Sequence, residues 1–412
     1  MSEAVNIPQL RFPEFNGAWE EKKLGEVVRY TKGFAFKSND YVDSGVRIIR
    51  VSDLGAESIK KDNKSIYLSS ENEHLYDKWK IRKNNIVITT VGSNPDLIES
   101  AVGRGIFIIN DNEGLLNQNM LKLENSTQVN NKFVHCFINS PKYIHHIKAI
   151  KRGNANQANI TVKELLDFKL SITTKPEQQK IAAFLNAVDT KIEQLSKKQE
   201  LLGEYKKGLM QQIFSQVIRF KADDGSEFPD WEERVLGDYL AHKSKKNKNN
   251  EVDLVLSVSN KKGFITQDEQ FDGYQVASKD LTNYKIVEKG EYAYNPSRIN
   301  VGSIARLKNN TIGIVSPMYV VFKLKNLDSI FFDNLYQTHL FKHLIKVGCS
   351  GSVRDSLNFN DMADFVFSFP SLEEQAKIVN FLSSIDSKIE QVGKQLDESK
   401  QFKKALLQQM FI

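Results

Sequence analysis

From residue 181 the apolar positions fall alternately four and three apart. Ile181, Leu185, Val188, Ile192, Leu195, Leu202, Leu209 and Ile213 follow one another, with Gln199 and Lys206 the two polar interruptions. The period returns as Ile378, Leu382, Ile385, Ile389, Val392, Leu396, Leu406 and Met410, broken by Ser399 and Lys403. A stripe sustained this long at a mean spacing of 3.5 is the seam of a coiled coil. Pro176 and Pro370 precede the two stretches, and glutamates follow closely, where the positive end of the helix dipole favours them. No proline interrupts either one, although Gly203, Gly208 and Gly393 each cost about 1 kcal/mol relative to Ala. A helix over 177–214 is about 57 Å long at 1.5 Å per residue. Alone it would leave its stripe in water, whereas two copies in one chain can bury each other.

The two copies are nearly the same text. EQQKIAAFLNAVDTKIEQ (177–194) aligns without gaps to EQAKIVNFLSSIDSKIEQ (374–391). The match continues through Lys206-Lys207 against Lys403-Lys404 and LMQQIF (209–214) against LLQQMF (406–411). Upstream, LLDF (165–168) meets MADF (362–365), and WEEKKLGEV (19–27) resembles WEERVLGDY (231–239). A chain with this self-similarity is a tandem repeat of two long halves. If a pseudo-twofold axis relates them, the helices pair antiparallel; a parallel pair, or helices packed separately on their own domains, are the alternatives.

The bodies between these anchors share little identity but one grammar. Short β-rich runs such as VRIIRVSDL (46–54), NIVITTVG (85–92) and YVVFKL (319–324) precede the helical patches 131–150 and 330–347. The expected class is α+β: two pseudo-symmetric α/β domains, each with a twisted sheet, separated by a long antiparallel two-helix coiled coil. The divisions are 1–170, helix 171–216, linker and second domain 217–368, and helix 369–412. Within the linker, SQVIRFKADDGSEFPD (215–230) reads as polar, with DDG supplying a turn.

Composition narrows the class modestly. At 40% hydrophobic and 26% charged, the chain looks like an ordinary globular protein. Its opening lacks the pattern of a secretory signal, and no apolar run approaches a membrane span. Cys136 and Cys349 are the only cysteines, so neither a zinc site nor a disulfide framework is indicated, and a reducing cytoplasm is expected. Net charge is +6 with the excess in the first half, compatible with a polyanionic partner.

The doubled opening W-E-E-x-x-L-G, the doubled E-Q-x-x-I-x-x-F-L-x-x-x-D-x-x-I-E-Q behind a proline, and the doubled K-K-x-L-x-Q-Q-x-F closely resemble the specificity (S) subunits of Type I restriction–modification systems. The resemblance covers nearly the whole chain. It implies two target-recognition domains, each reading one half of a split duplex DNA target, and two helices that set the unread spacer. It also implies two modification subunits that carry S-adenosylmethionine and methylate adenine. Restriction subunits would add an ATP- and magnesium-dependent nuclease and translocase. The resemblance brings no catalytic residue to this chain.

The residues themselves offer no active site. YNPSR (294–298) differs from the N-P-P-aromatic motif of amino-methyltransferases by Ser297 and Arg298, and reads as a turn with a nearby arginine. There is no G-x-G-x-x-G behind a strand and no G-x-x-x-x-G-K-[ST], so no cofactor is expected in this chain. The histidines show no metal spacing. A two-domain protein-binding scaffold without DNA is the competing class.

Reading bases requires Arg, Lys, Asn or Gln at base edges, while phosphates accept cations, hydroxyls and backbone N–H groups. In the first body such residues are Lys32, Arg104, Asn119, Arg152, Asn154 and Gln157; in the second, Lys261, Arg298, Asn300 and Arg354. The dense run KSKKNKNN (243–250) reads instead as a flexible exposed loop.

Overall fold

The computed structural model describes residues 7–61, 64–97, 101–124, 126, 129–154, 157–260, 262–266, 280–349 and 356–411. The two repeats form continuous helices, Lys175–Phe214 and Leu372–Met410. The chain divides into two compact units, and neither is a simple half of the sequence. One takes residues up to Ser196 together with those from Lys394 onward; the other is Lys197–Gly393. Each unit therefore holds the start of one long helix and the end of the other.

In the first unit Ile181, Ala182 and Leu185 share a core with Leu406 and Met410, and Asp189 is ion-paired to Lys403 at 2.7 Å. In the second unit Ile378, Val379 and Leu382 share a core with Met210 and Ile213, and Asp386 is paired to Lys206 at 2.8 Å. A helix start against a helix end means antiparallel packing in both units, as the pseudo-twofold predicts. The repeated Asp and the repeated Lys are thus each other's partners. Of the seam positions, Ile181, Leu185, Ile192, Leu195, Ile378, Leu382, Ile385 and Val392 are buried, with Val188 and Ile389 half-buried. Gly393 has a packing reason despite its helix propensity: a Cβ there would lie 2.7 Å from Nε2 of Gln199.

The diverged bodies fold alike. The first contains an antiparallel sheet in the order Arg29–Lys32, Met120–Glu124, Ile86–Thr89, Gly105–Phe107. The second repeats that order as Leu240–Lys243, Val320–Leu324, Tyr292–Tyr294, Ile304–Arg306. Each adds one strand pair from its ends, Glu20–Lys23 with Lys169–Ile172 and Glu232–Val235 with Val366–Phe369. Beyond these, the first body carries a small five-stranded sheet and the second two separate two-stranded sheets. Each body is thus built from several short sheets rather than the one twisted sheet expected.

Behind each proline, the repeated Glu–Gln pair is buried. Glu177 accepts from Arg11 Nε and Nη2, both at 2.7 Å. Glu374 accepts from Arg219 Nε at 3.1 Å and Nη2 at 3.0 Å, and from the Trp231 indole at 2.9 Å. Gln178 accepts from the backbone N–H of Asn130, and Gln375 from that of Asp328; these are the N-caps of helices Asn131–Phe137 and Ser329–Leu335. One dipeptide therefore locks the long helix both to the segment before its body and to a helix within it.

Residues 215–230, expected as a polar linker, are mostly exposed but also make specific contacts. Asp223–Gly225 does turn, with Gly225 at φ +85°. But Arg219 reaches Glu374, and Phe220 packs edge-on to Phe381 at 5.5 Å. The Ile218 N–H donates to Gln212 O at 3.2 Å, and in the first unit the Leu10 N–H donates to Gln409 O at 3.0 Å. The same junction is continuous chain in one unit and a meeting of the two chain ends in the other. Among the described residues no helix is long and apolar enough to cross a membrane.

Candidate nucleic-acid interface

One end of the four-stranded sheet gathers most of the first body's candidates. There the strands Arg29–Lys32 and Ile86–Thr89 finish, while Gly105–Phe107 and Met120–Glu124 begin. The Gly33 N–H donates to Met120 O at 2.9 Å, Thr90 to Asn119 O at 2.8 Å, Thr89 to Arg104 O at 3.1 Å and Ile160 to Thr90 O at 3.0 Å. A three-stranded ribbon, Arg152–Asn154, Gln157–Asn159 and Val91–Gly92, continues from the same place. Lys32, Arg104, Asn119, Arg152, Asn154 and Gln157, scattered over more than a hundred residues of sequence, therefore come to one end of one sheet. All but the half-buried Arg104 are exposed.

The close approach of two ribbon strands explains the glycine. Gly153 sits at φ +92°, and a Cβ there would lie 2.3 Å from Gln157 O. Asn154 Oδ1 joins the same two strands by accepting from the Gln157 N–H at 2.9 Å.

Arg152 is engaged: its Nη1 and Nη2 each donate to Glu164 at 2.7 Å. That fork, then the Thr161 hydroxyl, hold the Glu164 carboxyl down at about 2. Because the folded value is depressed, the ion pair's contribution is present above the ordinary carboxylate range and fades as pH falls through about 2. Glu164→Gln should release a cation at neutral pH. The expected outcome is tighter nonspecific duplex binding, with a log–log salt slope steeper by about one unit, checked by binding titrations across salt concentrations.

The second body presents the corresponding end. Strands Leu240–Lys243 and Tyr292–Tyr294 finish there, and Ile304–Arg306 and Val320–Leu324 begin. Residues 295–303 form a tight loop in which Asn295 N–H donates to Ser303 O, Ser303 N–H to Arg298 O, and Ser297 N–H to Asn295 Oδ1, each at 3.1 Å. Arg298 and Asn300 are exposed on it, and Met318 beside it is 59% exposed. The candidates Lys261 and Arg354 lie outside the described residues.

Two further lysines lie at this end: Lys243, the first residue of the basic run 243–250, and Lys285, which escapes sequence reasoning. Lys243 occupies the strand-end position that Lys32 holds in the first body. Lys285 donates from Nζ to Tyr319 O at 2.6 Å, and Tyr319 stands in the register position of Asn119. Burial, then Lys246, hold the Lys285 ammonium below the ordinary lysine range. No local motif marks Lys285; only strand register does. Nor is 243–250 the free loop expected. Lys243 belongs to a strand, and the buried Asn247 clasps the N–H and carbonyl of Val252 at 3.2 and 2.9 Å.

The chain matches known proteins over nearly its whole length. The family model described as Type I restriction modification DNA specificity domain matches residues 16–202 and again 229–398. The Type I restriction enzyme MjaVIII specificity subunit of Methanocaldococcus jannaschii is 21% identical, covering 97% of this chain and 92% of that protein. The Type I restriction enzyme EcoBI specificity subunit of Escherichia coli is 23% identical, covering 93% of this chain and 82% of that protein. The crystal structure of a Type I restriction–modification S subunit from M. genitalium superposes with a TM-score of 0.57 at 17% identity, covering 98% of this chain and 99% of that one, and so has the same fold. With the family matched twice across most of its length, the chain belongs to the Type I restriction modification DNA specificity domain family.

Proposed function

We propose that this chain is the DNA-reading subunit of a Type I restriction–modification complex and carries no active site of its own. Each body reads one half of a bipartite duplex target through the loops at its sheet end. The long helices set the unread spacer, and two modification subunits, bearing S-adenosylmethionine, methylate adenine at the chosen site. Restriction subunits, with ATP and magnesium, would add cleavage in the cytoplasm. The observation that carries this reading is the duplicated sheet end. Two bodies of unrelated loop sequence present exposed cations and amides at the same structural position, as two readers of different half-sequences require.

The test is expression of the chain with and without a modification subunit, followed by methylome sequencing. Methylation is expected only with the partner and at a split motif. Methylation by the purified chain alone, or no duplex binding at all, would overturn the reading, the latter in favour of a protein-binding scaffold.

A further inference from the structure

Seven arginines fall in the stretch of chain up to Ser196, and they differ sharply in what their side chains hold. Arg11 is bound to Glu177, Arg50 to Asp53, Arg82 to Asp77 and Arg152 to Glu164. Arg47 donates to Lys60 O. Arg29 is exposed, so water serves it. Arg104 is half-buried and its side chain makes no hydrogen bond or ion pair among the described residues; its Nε is buried without a partner. Burial holds its guanidinium below the ordinary arginine range, and only afterwards does the charge of Glu57 pull the other way. Glu57 is itself well exposed.

The terminal nitrogens of Arg104, which hold nothing among the described residues, are open to a partner outside the chain. The position suits one. Arg104 immediately precedes the strand Gly105–Phe107 at the sheet end where Lys32, Asn119 and Gln157 gather. Gly103, at φ +76°, turns the chain just before it, and the Tyr143 hydroxyl pins the Gly103 carbonyl at 2.6 Å. The arginine therefore stands on a fixed backbone. A planar fork of free N–H donors matches O6 and N7 of guanine in the major groove.

We infer that Arg104 is the specificity-determining residue of the first body and reads a guanine in its half of the target. Arg152, by contrast, is a structural fork that holds the ribbon to Glu164. The inference rests on the proposed DNA-reading function.

The experiment compares the full wild-type chain with Arg104→Gln and Arg104→Met, each expressed with the modification subunit and profiled by methylome sequencing, together with thermal unfolding of the purified chains. Discrimination should fall by about 10- to 100-fold at a single G·C position of one half-site, leaving the other half-site untouched. Arg104→Met should melt no lower than wild type, because it removes an unsatisfied buried group. A uniform loss of methylation with an unchanged motif would mean a phosphate contact, and relaxation at an A·T position a different base; either overturns the inference. So would a lower melting point with both half-sites lost, which is the mark of a packing role. A wild-type chain that directs no split-site methylation would instead defeat the functional reading, which the wild-type control reveals directly.

Discussion

Inserting one heptad into both long helices, after Leu195 and after Val392, should lengthen the unread gap of the target while leaving both half-sequences as they were. Seven residues are two turns of the supercoiled seam, so the stripe through Ile192 and Ile389 keeps its phase. The ion pairs Asp189–Lys403 and Asp386–Lys206 lie on either side of the insertions and remain in register when both helices change together. The added length is about 10 Å of helix, or about three base pairs of duplex. A heptad in one helix alone leaves one of those registers unmatched and should reduce stability and methylation without producing a new spacing. Methylome sequencing of the three forms decides it. Matched insertions that assemble normally but methylate at the old spacing would rule out the helices as the ruler.

Glu374→Ala should be the most destabilising single change outside the apolar core, costing about 3–5 kcal/mol. The carboxylate is fully buried and accepts from two nitrogens of Arg219 and from the Trp231 indole. Its removal takes the carboxylate from a guanidinium that is 23% exposed, leaving it the Phe228 and Pro229 carbonyls and Asp230, and strands a buried indole N–H. Replacing the pair at once, as Arg219→Met with Glu374→Leu, should recover much of the loss, since a buried ion pair is worth far less than half of one costs. Denaturant unfolding of the two variants checks both statements; a loss below about 1 kcal/mol for Glu374→Ala would show that the clasp is incidental. Glu177→Ala, which takes the carboxylate from Arg11 in the first unit, should behave alike.

Much of the architecture was legible because its signals are local. The apolar spacing from Ile181 to Ile213 and from Ile378 to Met410 predicts helices from neighbouring residues alone, and the gapless repeat brings Asp189 into line with Asp386 and Lys206 with Lys403. That these residues pair crosswise, Asp189 with Lys403 and Asp386 with Lys206, needs only the antiparallel direction as well. The common fold of the bodies was not legible. Local β-rich runs mark strands such as Ile86–Thr89 and Val320–Leu324, but strands three to five residues long pair across large separations, as Lys32 does with Leu121, so no window of sequence records which strands are neighbours. The clasp was hidden for the same reason, since Arg219 and Glu374 lie 155 residues apart.

The candidate site divides along the same line. Gly/Asn-rich loops carrying cations marked Arg104, Arg152 and Arg298 equally, because residue type and neighbours were all that distinguished them. Whether a cation is spent within the protein depends on where a distant carboxylate lands: Glu164 reaches Arg152, while among the described residues none hydrogen-bonds or ion-pairs the Arg104 side chain. The sequence by itself determined the helices, their duplication and the family, because periodicity and repetition are properties of one dimension. Tertiary structure alone decided which loops share a sheet end and which arginine, among the described residues, holds no side-chain partner, because those depend on contacts between residues far apart in the chain.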